Sequence, residues 1–297
     1  MKLRLLLLTL ILLMLLSGCR TEPSAQIAAT TLPVYEFTTA LCEGTPLSVT
    51  RLVTEEVSCL HDYSLNVRQV KAAEAAETIV ISGAGLEEFL DDILLNSQII
   101  DASRDVELIC PEEHSHHHEH EDDAHTHEGH HHDQDPHIWL SPVNAAAMAR
   151  NICAGLAAQY PQYEATFSRN LLSLEQKLDF LQNYGETALS DLSCRELITF
   201  HDGFAYLARA FDLNILEAIE EESGSEASAR ELIHMIEEVE HHRLPAIFTE
   251  KSGSVSAAGI ISRETGAKVF SLDMAMSGSS YFDSMYHNID TLKEALQ

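Results

Sequence analysis

The sequence has 297 residues, of which 47 are acidic and 18 are basic, and its formal charge is −29 at neutral pH. Such an acidic surface repels nucleic acid and anionic lipid, so we expect no nucleic-acid partner and a preference for cations. The length is sufficient for two lobes with separate cores, and the 45% of hydrophobic residues is ordinary for a globular protein.

The N-terminal segment, residues 1–19, is typical of a bacterial lipoprotein signal. Lys2 and Arg4 precede an apolar run at 5–16 that is too short to span a bilayer comfortably as a mature helix. The run ends in Leu-Ser-Gly before Cys19, where small residues suit a signal peptidase and the thiol suits lipid attachment. We expect lipidation of Cys19 on the outer face of the cytoplasmic membrane, with 20–26 as a tether. The alternative is an ordinary secretory signal with a chance cysteine.

Strands and helices alternate through the first predicted lobe, which we assign to residues 27–160. Strands are predicted at 27–31, 47–53 and 78–82, and helices at 33–41, 66–76, 86–95 and 143–159. The third strand reads TIVIS, a β-branched run that is typical of a buried parallel strand. The alternation therefore predicts an α/β lobe with a parallel sheet.

A polar segment at 111–135 interrupts this lobe, since it has no apolar periodicity and cannot bury a core. Residues 114–132 read HSHHHEHEDDAHTHEGHHH, and the histidines of this run are His114, His116, His117, His118, His120, His125, His127, His130, His131 and His132. We predict a mobile accessory loop that gathers zinc, with an affinity lower than that of the main site because ordering the loop costs entropy. The alternative is a solvated spacer that binds metal only incidentally.

One long helix is predicted to bridge two lobes, over residues 161–192. Its apolar side chains recur at steps of three and four and so share one face: Phe167, Leu171, Leu174, Leu178 and Leu181. A helix of roughly 28 residues is about 40 Å long, enough to run the length of a two-lobed molecule.

A second alternating section, residues 193–297, predicts a second α/β lobe. Strands are predicted at 197–200, 213–216, 246–249 and 268–272, and helices at 203–210, 226–242, 255–264 and 281–296, with Ser225 as the N-cap of the second helix. The predicted fold class is α/β, with two parallel-sheet lobes joined by one long bridging helix.

Three histidines outside the run lie in loops that precede helices: His61 in CLHDYSL, His137 in DPHIWLSP and His201 in ITFHDGF. Asp273, in VFSLDMAM, follows the last predicted strand. Ligands collect at the carboxyl ends of strands in open α/β sheets. Two of these four residues belong to each lobe, so a site that uses all of them lies in the cleft between the lobes.

Three imidazoles and one carboxylate are a ligand set that suits zinc at four coordinates. Asp62 and Asp202 each follow one of the histidines, and we predict that they or nearby carbonyls orient the imidazole rings. Glu250, in IFTEKSG, is a rival for the carboxylate position. Spacing alone leaves a second interpretation open, in which these histidines are satisfied polar residues at strand ends.

Five segments resemble the zinc and manganese solute-binding proteins of bacterial ABC transporters: LPVYEFTTAL, HDYSL, DPHIWLSP, ITFHDGFAYLARAFDL and IFTEKSGSVSAAGIISRETGAKVFSLD. The resemblance implies two α/β lobes on a rigid helix, a permease partner, and metal ligands at His61, His137, His201 and Asp273. Within that family, a histidine at the third ligand position, here His201, and a histidine-rich loop before DPHIWLSP are typical of the members that bind zinc. Leu60 stands where the family usually has proline.

The expected function is therefore capture of Zn²⁺ by a monomer and its delivery to the permease, with no enzymatic activity. The alternatives are manganese or iron in the same site, or a surface adhesin. A zinc hydrolase is disfavoured because the sequence has neither HExxH nor an evident nucleophile set. The remaining cysteines are odd in number, so at least one thiol is free or pairs elsewhere, and no pairing is predicted among Cys42, Cys59, Cys110, Cys153 and Cys194. Their lack of CxxC spacing disfavours a zinc-thiolate or redox site.

Overall fold

The computed structural model describes residues 25–55, 57, 60, 63–90, 97–109, 134–218, 228–251 and 256–297. Its strands are β1 (Ile27–Ala29), β2 (Val49–Arg51), β3 (Thr78–Ile81), β4 (Gln98–Asp101), β5 (Glu196–Thr199), β6 (Asn214–Ala218), β7 (Ala246–Glu250) and β8 (Lys268–Leu272). Its α-helices are α1 (Leu32–Cys42), α2 (Val67–Ala75), α3 (Pro142–Gln159), α4 (Glu164–Ala188), α5 (Ala205–Ala210), α6 (Ala229–His242), α7 (Ser256–Thr265) and α8 (Tyr281–Leu296).

Two parallel sheets organise these elements, and both have the same strand order. The first lobe has the order β2-β1-β3-β4 and the second has β6-β5-β7-β8, with every described pairing parallel. Since all strands of a parallel sheet end at one edge, the loops that follow β5, β7 and β8 are neighbours. The predicted fold class, two parallel-sheet α/β lobes with a linking helix, is confirmed.

The bridging helix α4 packs against α1 and α3 of the first lobe and against α8 of the second. The predicted apolar face is largely correct, as Phe167, Leu174, Leu178 and Leu181 are buried and Leu171 is half-buried. The Asn170 amide donates to the carbonyls that end α1, and the Gln182 amide donates to the last carbonyl of α5. The helix is thus hydrogen-bonded to both lobes.

This helix is shorter than the predicted range of 161–192. Pro161–Tyr163 forms a separate 3-10 turn, and the α-helix begins after its N-cap Tyr163, whose φ of −111° and ψ of 6° are not α-helical. At the other end, the backbone N–H of Leu189 bonds to the carbonyls of Gly185 and Thr187. The Arg195 guanidinium donates hydrogen bonds to the carbonyls of Leu189 and Ser190. These carbonyls therefore do not accept from a further helical turn, and the helix ends at Ala188.

Three further elements differ from the sequence prediction. Strand β4 was not predicted, since its residues Gln98 and Ile99 are exposed and give no buried apolar run. The described part of the predicted helix 86–95 is only a 3-10 turn, Glu88–Leu90. Helix α6 begins at Ala229, and its N-cap is Ser228 in a capping box with Glu231, not Ser225.

The largest hydrophobic core runs through both lobes without a break. It contains Phe37 and Trp139 from the first lobe and Phe204 and Tyr281 from the second, each at most 1% exposed. Two smaller clusters lie within the individual lobes. The interface between the lobes is therefore packed like a protein interior. Within the described residues, no helix has the length and apolarity needed to cross a membrane.

Candidate metal centre

His137 precedes the 3-10 turn Ile138–Leu140 and is only 2% exposed. Its Nδ1 lies 2.8 Å from Oδ1 of Asp135, and the same oxygen accepts the backbone N–H of His137 at 2.8 Å. A carboxylate oxygen can only accept, so Nδ1 carries the ring hydrogen. The lone pair is consequently on Nε2, which is the nitrogen left for a metal.

Contacts from both lobes hold this loop in place. The backbone N–H of Asp135 donates to the carbonyl of Ile109 at 2.9 Å, and the Tyr206 hydroxyl of the second lobe donates to the carbonyl of Asp135 at 3.0 Å. The Trp139 Nε1–H donates to the carbonyl of Met274 at 2.8 Å. Since these groups are buried, losing any one of these bonds leaves an unsatisfied polar atom.

His201 follows β5, and its ring lies edge to face against that of His137 from the first lobe. The two ring centroids are 5.4 Å apart and the ring planes meet at 83°. Nδ1 of His201 lies 2.9 Å from Oε1 of Glu250, which ends the adjacent strand β7 and is 7% exposed. Nε2 of His201 is buried and has no hydrogen-bond partner within the part of the chain that the structure describes. A buried ring nitrogen of this kind is a candidate metal ligand.

The charges around His201 favour a cation. Burial alone would lower the pKa of His201, but the hydrogen bond and negative charge of Glu250, with the charges of Asp202 and Asp135, raise that pKa above its ordinary value. Oδ2 of Asp135 is a second buried atom without a partner among the described residues. Together these carboxylates create a site that stabilises positive charge.

Gly203 leaves open the space in front of the His201 ring. A Cβ built at this position would lie 2.6 Å from Cε of Met274 and 3.0 Å from Nε2 of His201. A larger residue would therefore press on the Met274 side chain and on the His201 ring, so the position favours glycine.

Asp273 follows β8 at the same edge of the sheet, but its carboxylate accepts hydrogen bonds from residues of the second lobe. Oδ1 accepts the backbone N–H of Ala275 at 2.8 Å, and Oδ2 accepts from the Ser284 hydroxyl at 3.1 Å and the Lys251 ammonium at 3.3 Å. Among the described residues, no three His, Cys, Asp or Glu side chains form a group that could hold a metal ion. The structure thus brings His137 and His201 together and leaves Asp273 turned towards other partners.

Several predicted residues lie outside the described part of the chain. They are His61, Asp62, the ten histidines of 114–132, Cys19, Cys59 and Cys110. The described residues beside His61 are firmly held: Leu60 is buried, and the Tyr63 hydroxyl bonds to the Glu55 carboxylate and the Gln69 amide. Cys42, Cys153 and Cys194 are free thiols.

The residues that orient the two rings differ from those predicted. We predicted Asp202 for His201, but the Nδ1 partner is Glu250, and the partner of His137 is Asp135, which had no assigned role. Asp135 was accessible to sequence reasoning, because a carboxylate two residues before a histidine can reach its backbone N–H and its ring. The role of Glu250 could not be predicted from the sequence, because it depends on β7 lying beside β5 in the sheet.

Comparisons with known proteins agree on one family. The family model described as ZnuA, zinc-uptake complex component A, periplasmic, matches residues 27–295. The zinc-binding lipoprotein AdcA of Streptococcus pneumoniae serotype 4 is 29% identical over 296 residues, which cover 94% of this chain and 58% of AdcA. The chain thus spans little more than half the length of that relative.

Two solved structures share the fold over most of the chain. A crystal structure of ZnuA has a TM-score of 0.76 and 25% identity, with 92% of this chain and 100% of the other covered. The crystal structure of Zn(II)-bound AdcA from Streptococcus pneumoniae has a TM-score of 0.74 and 27% identity, with 92% of this chain and 58% of the other covered.

Proposed function

The chain belongs to the family of periplasmic components A of zinc-uptake complexes, and from this premise we propose that it captures Zn²⁺ between its lobes and delivers it to an ABC-transporter permease. The proposed ligands are His61, His137, His201 and Asp273. The observation that carries the proposal is the buried Nε2 of His201, which has no hydrogen-bond partner among the described residues and lies beside the His137 ring. The transported ion is the cargo, so no covalent chemistry follows from its binding.

The geometry of the two histidines fits a shared zinc ion. Two imidazoles on one tetrahedral zinc have ring centres about 5 Å apart, given Zn–N bonds of about 2.0 Å. The ring centroids of His137 and His201 are 5.4 Å apart. Each ring also directs Nδ1–H to a carboxylate, the arrangement that fixes the tautomer of zinc-bound histidines and makes Nε2 a better donor.

A closed site of four protein ligands supports transport rather than catalysis. Catalytic zinc needs an open coordination position and a nearby base, whereas four protein ligands leave no position for water. We further propose that lipid on Cys19 anchors the chain, that 20–26 is its tether and that the histidines of 114–132 form an accessory zinc-gathering segment. The name of the relative AdcA, a zinc-binding lipoprotein, supports the lipid anchor.

Zinc titration of the metal-stripped protein from residue 20 onward tests the proposal. We expect one tight site and several weaker ones, and we expect H137A/H201A to lose the tight site alone. The matched control is H234A/H242A, because these two histidines also pair with glutamates but lie on the surface of the second lobe, 48% and 27% exposed. Deletion of residues 114–132 should remove only weak sites.

Two results would count against the proposal. A tight site that survives in H137A/H201A places the zinc elsewhere, and a tight site that disappears on deletion of 114–132 makes the histidine run the main site. The same titrations with Mn²⁺ test the alternative cargo. We expect weaker Mn²⁺ binding, because imidazole-rich sites follow the general affinity order in which zinc exceeds manganese.

A further inference from the structure

We propose that Lys251 competes with the metal for Asp273, so that its ammonium group holds this carboxylate in the metal-free protein and is displaced when the ion binds. Lys251 is then a residue that tunes the affinity and release of the cargo. The inference rests on the function proposed above, because it takes Asp273 as the fourth ligand.

The sheet register places the two side chains together. Lys251 directly follows β7 and Asp273 directly follows β8, and these strands pair in parallel up to Glu250 and Leu272. The backbone N–H of Lys251 continues the pairing, with a 2.9 Å bond to the carbonyl of Leu272. The contact is therefore built into the fold, and Nζ of Lys251 lies 3.3 Å from Oδ2 of Asp273.

The backbone of Asp273 is fixed, so only its side chain is free to change partners. The amide of Asn288, which is fully buried, accepts from the N–H of Asp273 at 2.7 Å and donates to its carbonyl at 2.7 Å. Oδ2 points to Lys251 and Ser284 instead of joining His137 and His201. Metal binding through Oδ2 therefore displaces at least one of these two donors, because both lone pairs of this oxygen are already used.

The positive charges of Lys251 and of the divalent ion make their exchange on the Asp273 carboxylate reversible. The Asp273 side chain is 13% exposed, so the ammonium group neutralises a largely buried carboxylate in the metal-free protein. A divalent ion on the carboxylate repels the ammonium group, and the Lys251 side chain, which is 61% exposed, is able to move into solvent. When the ion leaves, the Lys251 ammonium group forms its ion pair with the Asp273 carboxylate again. The expected consequence is a lower zinc affinity and a faster release than the ligands alone would give.

The first experiment compares K251M with the wild type and with K268M. Lys268 begins β8, at the opposite end of the strand from Asp273, so K268M removes the same charge without touching the pair. The Lys251 side chain is 61% exposed, and an ion pair screened by solvent in this way changes an equilibrium constant by up to about fivefold. We expect K251M to bind zinc up to about fivefold more tightly and to release it to a chelator correspondingly more slowly. K268M should match the wild type, and K251R should retain the lower affinity.

A double variant separates competition from simple repulsion of the cation by Lys251. If Lys251 acts through Asp273, then K251M has no effect when Asp273 is already replaced, so D273N and D273N/K251M should bind zinc equally. The spectrum of bound Co²⁺ provides an independent readout. It should be alike in the wild type and K251M, since the same ligands bind, and should differ in D273N.

The outcomes distinguish this inference from the proposed function. Equal affinities for K251M and K268M, or an effect of K251M that persists in D273N, overturn the role of Lys251 while tight zinc binding stands. A Co²⁺ spectrum unchanged in D273N removes Asp273 from the ligand set and the competition with it. A wild type without a tight zinc site would instead reject the proposed function itself.

Discussion

At the scale of single residues, two carboxylates orient the buried histidines of the proposed centre. Asp135 and Glu250 each hold Nδ1 of a buried histidine, at 2.8 Å and 2.9 Å. Without such a partner, a buried imidazole is free to rotate or to present the wrong tautomer. The carboxylates also supply negative charge for a cation taken out of water.

The substitution E250Q tests this role. The glutamine amide would keep an oxygen for the Nδ1–H of His201 but lose the charge, so we expect zinc affinity to fall by about 10- to 100-fold. Competition against a chromophoric chelator measures the change. E196Q is the matched control, because Glu196 pairs with the surface histidine His242 at 3.0 Å and begins β5 at the end away from the site. Equal losses in the two variants would contradict a specific role for Glu250.

The histidines of the centre could be predicted from sequence, but the state of Asp273 could not. DPHIWLSP and ITFHDGF mark His137 and His201 because strand-end loops and helix starts are visible as local patterns. The hydrogen bonds of Asp273 depend on Lys251, which the pairing of β7 with β8 places beside it, and on Ser284, which lies in α8. Such long-range pairings have no local sequence pattern.

At the scale of elements, a buried glutamate joins the strand ends of the first lobe. Oε1 of Glu87 accepts from the Thr30 hydroxyl at 2.6 Å and the Ser82 N–H at 2.7 Å, and Oε2 accepts from the Gly83 N–H at 3.0 Å. The bonded groups follow β1 and β3. Gly83 has a φ of +83°, and a Cβ there would overlap the Asp101 carboxylate, so the turn requires glycine.

The pH dependence of stability should reveal Glu87. Burial raises its pKa to about 7, although its hydrogen bonds act in the opposite direction. Because this pKa is raised in the folded protein, the contribution to stability is full in acid and is lost as the pH rises through about 7. From pH 5 to pH 8, the free energy of unfolding should therefore fall by up to about 3 kcal/mol in the wild type relative to E87Q, at about 1.4 kcal/mol per pKa unit.

Urea unfolding at several pH values measures this difference. The control is E88Q, which alters the exposed neighbouring glutamate and should follow the wild type at every pH. A constant difference between the wild type and E87Q from pH 5 to pH 8 would contradict the buried titration. Comparing variants with the wild type also cancels the titration of the many histidines.

The boundaries of some helices and strands could be predicted from sequence patterns, and those of others could not. Helix α8 and strand β8 begin and end where we predicted, because strong apolar periodicity and a clear cap define them. Strand β4 had no such pattern, since its side chains are mostly exposed at the edge of the sheet. The start of α6 could have been found, because Ser228 and Glu231 have the spacing of a capping box.

At the scale of the whole molecule, the loop that follows Asp273 is attached to the first lobe. The carbonyl of Met276 accepts the N–H of Leu32, and that of Gly278 accepts from the Arg51 guanidinium. The backbone N–H of Tyr281 donates to the Glu36 carboxylate, and its hydroxyl donates to the carbonyl of Trp139 at 2.8 Å. These bonds and the continuous core indicate that the lobes move little relative to each other.

We expect the two lobes of the metal-free protein to unfold cooperatively. Trp139 is the only tryptophan and lies in the interlobe core, whereas far-UV circular dichroism follows the helices of both lobes. Because one core joins the lobes, we expect both probes to report the same urea midpoint. Y281F should lower the free energy of unfolding by about 1–2 kcal/mol, and so lower that single midpoint, since it leaves the buried Trp139 carbonyl without its donor. Y184F, which loses only an exposed hydrogen bond to Asp290, should change stability much less. Separate midpoints for the two probes would mean that the lobes unfold independently, and release of the cargo by lobe opening would then become feasible.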